Sequence, residues 1–222
     1  MKIVSIAPSI NGEICREHQG SLTVFVRLWG CNAKPRCSYC DSQFSYTGTP
    51  KEMTVPQIVK EVLKYGIPNV TITGGEPLIQ KGTRNLIKYL FIHCDKQVSV
   101  ETNSTKFIPY LNPRVSWVAD YKLPSSGIEH MMKIANYYNL GGRDIVKFVV
   151  ADKADFDRAL DVIPLIIKES TQFKNDFPKF AFSPCWGTIK PETLAKWMIE
   201  NSYLRAIGAI YSLQVHKLLN VL

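Results

Sequence analysis

Apolar residues along the chain fall into two alternating patterns. Short runs rich in Val, Ile and Phe recur at Leu22 to Trp29, Asn69 to Thr73, Gln97 to Glu101, Ser116 to Asp120, Ile145 to Val150 and Lys179 to Phe182, and these read as strands. Between them lie segments of helical spacing. Thr54 is placed to cap a helix with Pro56 in its first turn and Ile58, Val59, Val62 and Leu63 on one face. Asp152 is placed to cap another, whose apolar stripe is Phe156, Leu160, Ile163 and Ile167 and which Pro164 is expected to kink. Strand and helix in alternation predict parallel strands with right-handed crossovers, hence an α/β fold, either an open sheet or an incomplete βα barrel.

Folds of that class gather ligands at the carboxyl ends of their strands. Cys31 follows the first strong strand, Gly74 and Gly75 follow the second, Glu101 ends the third and Lys122 follows the fourth. All four are therefore expected to face one mouth.

At 222 residues and 45% hydrophobic the chain can bury a full core, and with no linker-like stretch a single domain over 1–222 is expected. The longest apolar runs are far shorter than a membrane span, and the opening residues Met1 to Ile10 are interrupted by Pro8 and Ser9 too early for a signal peptide. A cytosolic location follows as an expectation. The net charge of +8 admits a nucleic acid, an anionic small molecule or an acidic protein as partner. Lys and Arg are scattered without a dense basic run, so direct nucleic-acid binding is not expected.

Six cysteines, three of them between Cys31 and Cys40, argue for metal or redox chemistry in a reducing compartment and against a disulfide framework. Three thiolates, from Cys31, Cys37 and Cys40, can hold three irons of a cubane cluster and leave the fourth open to a substrate or cosubstrate. The alternative is a structural zinc site closed by a fourth ligand, for which Cys15 and His18 are the nearest candidates. Cys15, Cys94 and Cys185 stand alone and read as packing residues. The second motif is Thr73-Gly74-Gly75-Glu76-Pro77, which closes a strand. Its glycines let backbone approach a ligand closely, and Pro77 fixes the exit of the turn.

Together the two motifs resemble the radical S-adenosylmethionine (SAM) superfamily. Within it the chain is most similar to the 7-carboxy-7-deazaguanine synthase family, over nearly its whole length. The similarity includes Ser9 to Glu13, Phe25 to Arg27, Cys40 to Ser42, Glu101 to Asn103, Lys122 to Ser126, Val146 to Val150 and Gln214 to Lys217. The resemblance implies a 4Fe-4S cluster on Cys31, Cys37 and Cys40, with SAM and Mg²⁺ as further cofactors. It implies reductive cleavage of SAM, hydrogen abstraction from a small pterin, 6-carboxy-5,6,7,8-tetrahydropterin, and ring contraction with loss of ammonia.

By the same resemblance Ile10, Asn11, Gly12, Arg27 and Thr73 would hold the pterin, and the Ser42 hydroxyl would be a ligand to Mg²⁺. Tyr39, the Gly74-Gly75-Glu76 turn, Glu101, Asp120, Tyr121 and Lys122 would contact SAM. A homodimer is implied as well. An Arg fork suits the pterin carboxylate, and a hydroxyl suits the hard Mg²⁺ ion. Lys34 and Arg36 inside the cysteine loop suggest docking of an acidic electron donor such as a flavodoxin. The chain departs from the family in the longer spacing between Cys31 and Cys37, in Asn11, Ile14 and Leu213, and in Asp120-Tyr121-Lys122. An activase that makes a glycyl radical on a partner protein shares both motifs, and a zinc-containing nucleic-acid module is the non-enzymatic alternative.

Overall fold

The computed structural model describes residues 1–111, 114–170 and 176–220. The strands are β1 (Lys2–Ile10), β2 (Leu22–Leu28), β3 (Lys51–Glu52), β4 (Asn69–Gly74), β5 (Gln97–Thr102), β6 (Val115–Tyr121), β7 (Ile145–Val150), β8 (Lys179–Pro184) and β9 (Ile210–Tyr211). The helices are α1 (Val55–Leu63), α2 (Thr83–His93), α3 (Lys153–Ser170), α4 (Pro191–Glu200), α5 (Ser202–Ala206) and α6 (Val215–Leu219). Among the described residues the strands form one sheet in the order β3-β1-β2-β4-β5-β6-β7-β8-β9. Strands β2 and β4 to β9 run parallel, and β1 joins β2 and β3 antiparallel.

The six expected strands are present, and the fold is the expected open α/β sheet. β1 is the addition. Its antiparallel pairing and the Pro8 within it hide it from a search for parallel βα units, and it lies near the sheet edge, where proline is tolerated.

Alternation along the strands sorts residues to two faces. Val24, Val26 and Leu28, Val70 and Ile72, Val98 and Val100, Trp117 and Ala119, and Phe148 and Phe180 go to the helix layer and form the hydrophobic core. The opposite face carries Thr23, Phe25 and Arg27, Thr71 and Thr73, Ser99 and Glu101, Ser116 and Asp120, and Lys147, paired across the strands in register. That face is both polar and largely buried, so it lines an interior.

The sheet curls around it. Lys147 on β7 reaches Glu13, just beyond β1, although β2, β4, β5 and β6 lie between those strands. The chain closes the gap with loops in place of strand pairing. Ile14 N–H donates to Ser212 Oγ at 3.3 Å and Val215 N–H to the Gly12 carbonyl at 2.8 Å.

The helix ends follow the predicted chemistry. Thr54 and Gln57 form a reciprocal capping box on α1, and Asp152 accepts from Asp155 N–H at 2.9 Å at the start of α3. The faces are rotated relative to the expected stripes. Leu63 is 47% exposed, leaving Ile58, Val59 and Val62 to pack. In α3, Ala159, Val162 and Ile166 are buried beside Phe156 and Ile163, with Leu160 and Ile167 at the margin, and the helix continues past Pro164.

Candidate active site

The carboxyl end of β2 runs into the cysteine loop, and the close approach of two turns holds it there. Gly74 has φ +119, and a Cβ on it would lie 2.2 Å from the Leu28 carbonyl oxygen. A Cβ on Gly75 would lie 1.8 Å from the Gly30 carbonyl oxygen, and Glu76 N–H donates to that same oxygen at 2.8 Å. Both glycines are thus required so that the turn after β4 can lie against the backbone entering Cys31.

Cys31, Cys37 and Cys40 are half-buried free thiols on one loop. Burial pushes the Cys37 thiol up, Lys122 pulls it down, and the charges of Cys40 and Cys31 act on it too, so the three thiols share one electrostatic neighbourhood. The donor set is all sulfur, which suits iron. Among the described residues no group of three or more His, Cys, Asp or Glu side chains is already gathered around a metal position. The thiol of Cys15 is buried, bonded to the His18 carbonyl at 3.4 Å and pushed up to about 12 by burial and Glu17.

The five residues between Cys31 and Cys37 fold back on the loop. Arg36 donates from Nη1 to the Cys31 carbonyl at 2.7 Å and stacks on Tyr46 at 4.2 Å, and Pro35 follows a cis peptide bond. Arg36 thus braces the loop while remaining exposed, as Lys34 is.

Beneath the loop lies a row of charges. Lys122 bonds Asp120 at 2.6 Å, Asp120 lies 3.2 Å from Lys147, and Lys147 pairs with Glu13. Burial alone would lower the Lys122 and Lys147 pKa values, but Asp120, with Tyr39 beside Lys122 and Glu13 beside Lys147, lifts both above the ordinary lysine range. Gln214 donates to Glu13 at 2.9 Å, and Lys217 reaches Gln214 at 2.7 Å and Asp41 at 3.0 Å, so α6 covers the mouth.

Arg27 is half-buried, packs over the Phe25 ring at 4.4 Å and feels the charge of Glu101. Thr73 donates to Glu101 at 2.7 Å. Burial, helped by the charge of Glu13, pushes Glu101 up to about 7 against the pull of Lys147 and Thr73. A raised carboxylate holds its proton more tightly folded than unfolded. Its contribution favours folding below pH 4.5 and is lost as pH rises toward 7. Glu101→Gln should therefore raise the melting temperature of the ligand-free chain at pH 8, with the gain vanishing near pH 4.5 in a thermal-melt series.

Other expected residues are placed differently. Asn11 is buried, with its amide donating to Ser21 Oγ at 2.9 Å and its oxygen accepting from Thr71 at 2.8 Å, so its side chain is spent on the sheet. The Gly12 carbonyl is taken by Val215 and Gln19, and a Cβ on Gly12 would strike His216. Ile10 ends β1 beside them.

Glu76 is fully buried. It accepts from Leu78 N–H and Thr102 Oγ, each at 2.8 Å, and from Asn103 N–H at 2.7 Å, and so joins the glycine turn to the end of β5. Tyr121 turns to the apolar layer against Phe148 and Tyr137. Neither of these two side chains is left for a ligand. Tyr39 stays by the mouth, with Lys122 5.7 Å from its ring and its hydroxyl buried without a partner among the described residues. Ser42 donates to Asp41 Oδ1 at 3.2 Å. Lys147 received no role from the sequence, although a lysine inside the apolar run Ile145 to Val150 is the kind of buried charge that marks a site.

The Gly-Gly turn pressed onto a three-cysteine loop, at the carboxyl mouth of a curled parallel sheet, defines a class. Residues 29–170 match the radical SAM superfamily, and the chain belongs to it. Within that class it belongs to the 7-carboxy-7-deazaguanine synthase family. It is 35% identical to the 7-carboxy-7-deazaguanine synthase of Clostridium acetobutylicum, covering 98% of this chain and 95% of that protein. It is 34% identical to the enzyme of the same name from Chlorobaculum tepidum, over 98% and 93% of the two chains. The crystal structure of QueE from Escherichia coli shares the fold, with a TM-score of 0.70 over 97% of this chain and 94% of that one at 19% identity.

Proposed function

We propose that this enzyme converts 6-carboxy-5,6,7,8-tetrahydropterin to 7-carboxy-7-deazaguanine with loss of ammonia, in 7-deazapurine biosynthesis. The observation that carries the reading is the buried polar face of the sheet, with Arg27 at its rim, opening beside three thiols on one loop. The names of the relatives favour this small-molecule reaction over activation of a partner protein.

Cys31, Cys37 and Cys40 would hold the 4Fe-4S cluster, which with SAM supplies the one-electron chemistry that starts the reaction. Lys122, charged and half-enclosed beside Tyr39, is suited to the carboxylate end of SAM, and Asp120 to its ammonium end. Arg27 would bind the pterin carboxylate, with Phe25 supporting the guanidinium from below. Ile10 to Gly12, with the Ile10 and Asn11 backbone paired to Gly20 to Leu22 and the Gly12 carbonyl bonded to Val215 of α6, shape the floor under the pterin. α6 excludes water, since Lys217 ties it to Asp41 next to the cysteine loop. Ser42 Oγ beside the Asp41 carboxylate is a pair of hard oxygens at the loop's end, which supports Mg²⁺ there with the substrate completing the shell.

Anaerobic reconstitution followed by turnover of the pterin with SAM and dithionite, with and without Mg²⁺, tests the whole reading. Deazaguanine carboxylate formed only with Mg²⁺ is the expected result, and SAM cleavage with the pterin untouched would overturn the substrate. Arg27→Ala should raise KM for the pterin about ten- to a hundredfold, the scale of a lost hydrogen bond to a charged group. Arg27→Lys should restore little, because an ammonium cannot make the bidentate fork.

An acidic flavodoxin-like donor docking near exposed Lys34 completes the reading. Its reduction rate should fall as salt is added, and a rate indifferent to salt would exclude it. Among the described residues no helix is long and apolar enough to cross a membrane. A homodimer is part of the same family reading, and sedimentation at equilibrium tests it.

A further inference from the structure

Asn103 follows β5 and is 8% exposed, and its backbone N–H is bound by the buried Glu76. The orientation of its amide is fixed by its neighbours. Thr105 N–H and Thr105 Oγ1 donate to Asn103 Oδ1 at 3.0 and 2.7 Å. A backbone N–H can only donate, so the oxygen faces Thr105 and Nδ2 faces the cysteine loop. There Nδ2 lies 3.2 Å from Asn32 Oδ1 and 3.7 Å from Cys31 Sγ. Asn32 Nδ2 closes the ring on Thr105 Oγ1 at 2.8 Å. The directions around the ring are consistent, one Asn103 Nδ2 hydrogen serves Asn32, and the other is left for the sulfur.

We infer that Asn103 is a positioning residue that donates a hydrogen bond to the Cys31 sulfur and thereby sets the ease of reduction of the cluster. The inference rests on the proposed cluster site. Reduction adds an electron to a thiolate-bound cluster, and an N–H dipole aimed at a ligating sulfur stabilises the more negative state. The donor therefore raises the reduction potential. Asn32, in the loop, and Thr105, after β5, serve to hold the amide in that orientation.

The test is a redox titration of the reconstituted cluster, followed by electron paramagnetic resonance, without pterin or SAM. Asn103→Ala should make the cluster harder to reduce by about tenfold in the equilibrium, about 59 mV for one electron. Asn103→Asp keeps the bonds from Thr105 and replaces the donor by an acceptor, so it should shift the potential at least as far in the same direction. It carries the test if the alanine variant does not hold a cluster. A staple that only orders the loop would change cluster loading and leave the potential of the loaded fraction where it is. Equal potentials in wild type and variants would overturn the inference. Failure of the wild-type chain to take up iron and sulfide would instead overturn the cluster assignment beneath it.

Discussion

Cys37→Ala, reconstituted anaerobically with iron and sulfide, should stay colourless and lose turnover by roughly a thousandfold or more, as expected when a group that acts as part of a unit is removed. The thiol is half-buried and desolvation pushes it up, so in the ligand-free chain it is a protonated side chain of modest reactivity. Its importance is as a ligand: metal binding takes the proton, and Lys122 favours the thiolate. With two of the loop's thiols left, three irons of a cubane cannot each have a protein ligand. The fold should survive, because no core contact is lost, and the ligand-free melting curve should move by no more than about 0.5 kcal/mol equivalent. Iron and sulfide content and the visible spectrum report the first effect, and product formation the second. A Cys37 variant with normal iron and normal turnover would remove this cysteine from the site, and a wild-type chain that holds zinc instead of iron would revive the structural zinc alternative.

The mouth of this site was legible because strand ends are legible. Apolar runs bounded by Cys31, Gly74 and Lys122 locate the carboxyl ends of β2, β4 and β6, and the parallel fold brings them together. The spacing of the glycines announces a close backbone approach, and the Gly75 to Gly30 packing is its cause.

Direction within the site was not legible. Asn11, Glu76 and Tyr121 occupy motif positions, yet Asn11 is bound by Thr71, Glu76 by Asn103, and Tyr121 lies on the apolar side because β6 alternates. Whether a polar side chain meets a ligand or the protein depends on partners tens of residues away. Lys147 and Glu13, 134 positions apart, are neighbours only through the curl of the sheet.

That pair should also be where a single substitution costs the fold most. Lys147→Met should destabilise the chain by about 3–5 kcal/mol in urea unfolding at pH 7, the range for breaking a buried ion pair on one side. The Lys147 side chain is 7% exposed and those of Glu13 and Asp120 are 16% and 17% exposed, so water can replace little of what the ammonium supplies. Asp120 retains Lys122, whereas Glu13 is left with Gln214 alone.

Burial raises the Glu13 pKa, and Lys147 outweighs it, so the folded value lies below 4.5. A lowered carboxylate contributes stability above pH 4.5 that is lost as pH falls through the folded value. In the Met variant burial acts unopposed by Lys147 and Glu13 prefers its proton, so the deficit should be largest at neutral pH and shrink toward pH 4.5. Adding Glu13→Gln should recover part of the loss, because removing both partners leaves no buried charge unpaired. A deficit below about 1 kcal/mol, or one indifferent to pH, would show that the pair carries little weight. Because β1 and β7 share no ladder among the described residues, this pair joins the loop bonds of Ile14 to Ser212 and Val215 to Gly12 in holding the two sides of the mouth together. The variant should therefore be cut faster by protease between Ile10 and Ser21 while the sheet itself stays folded.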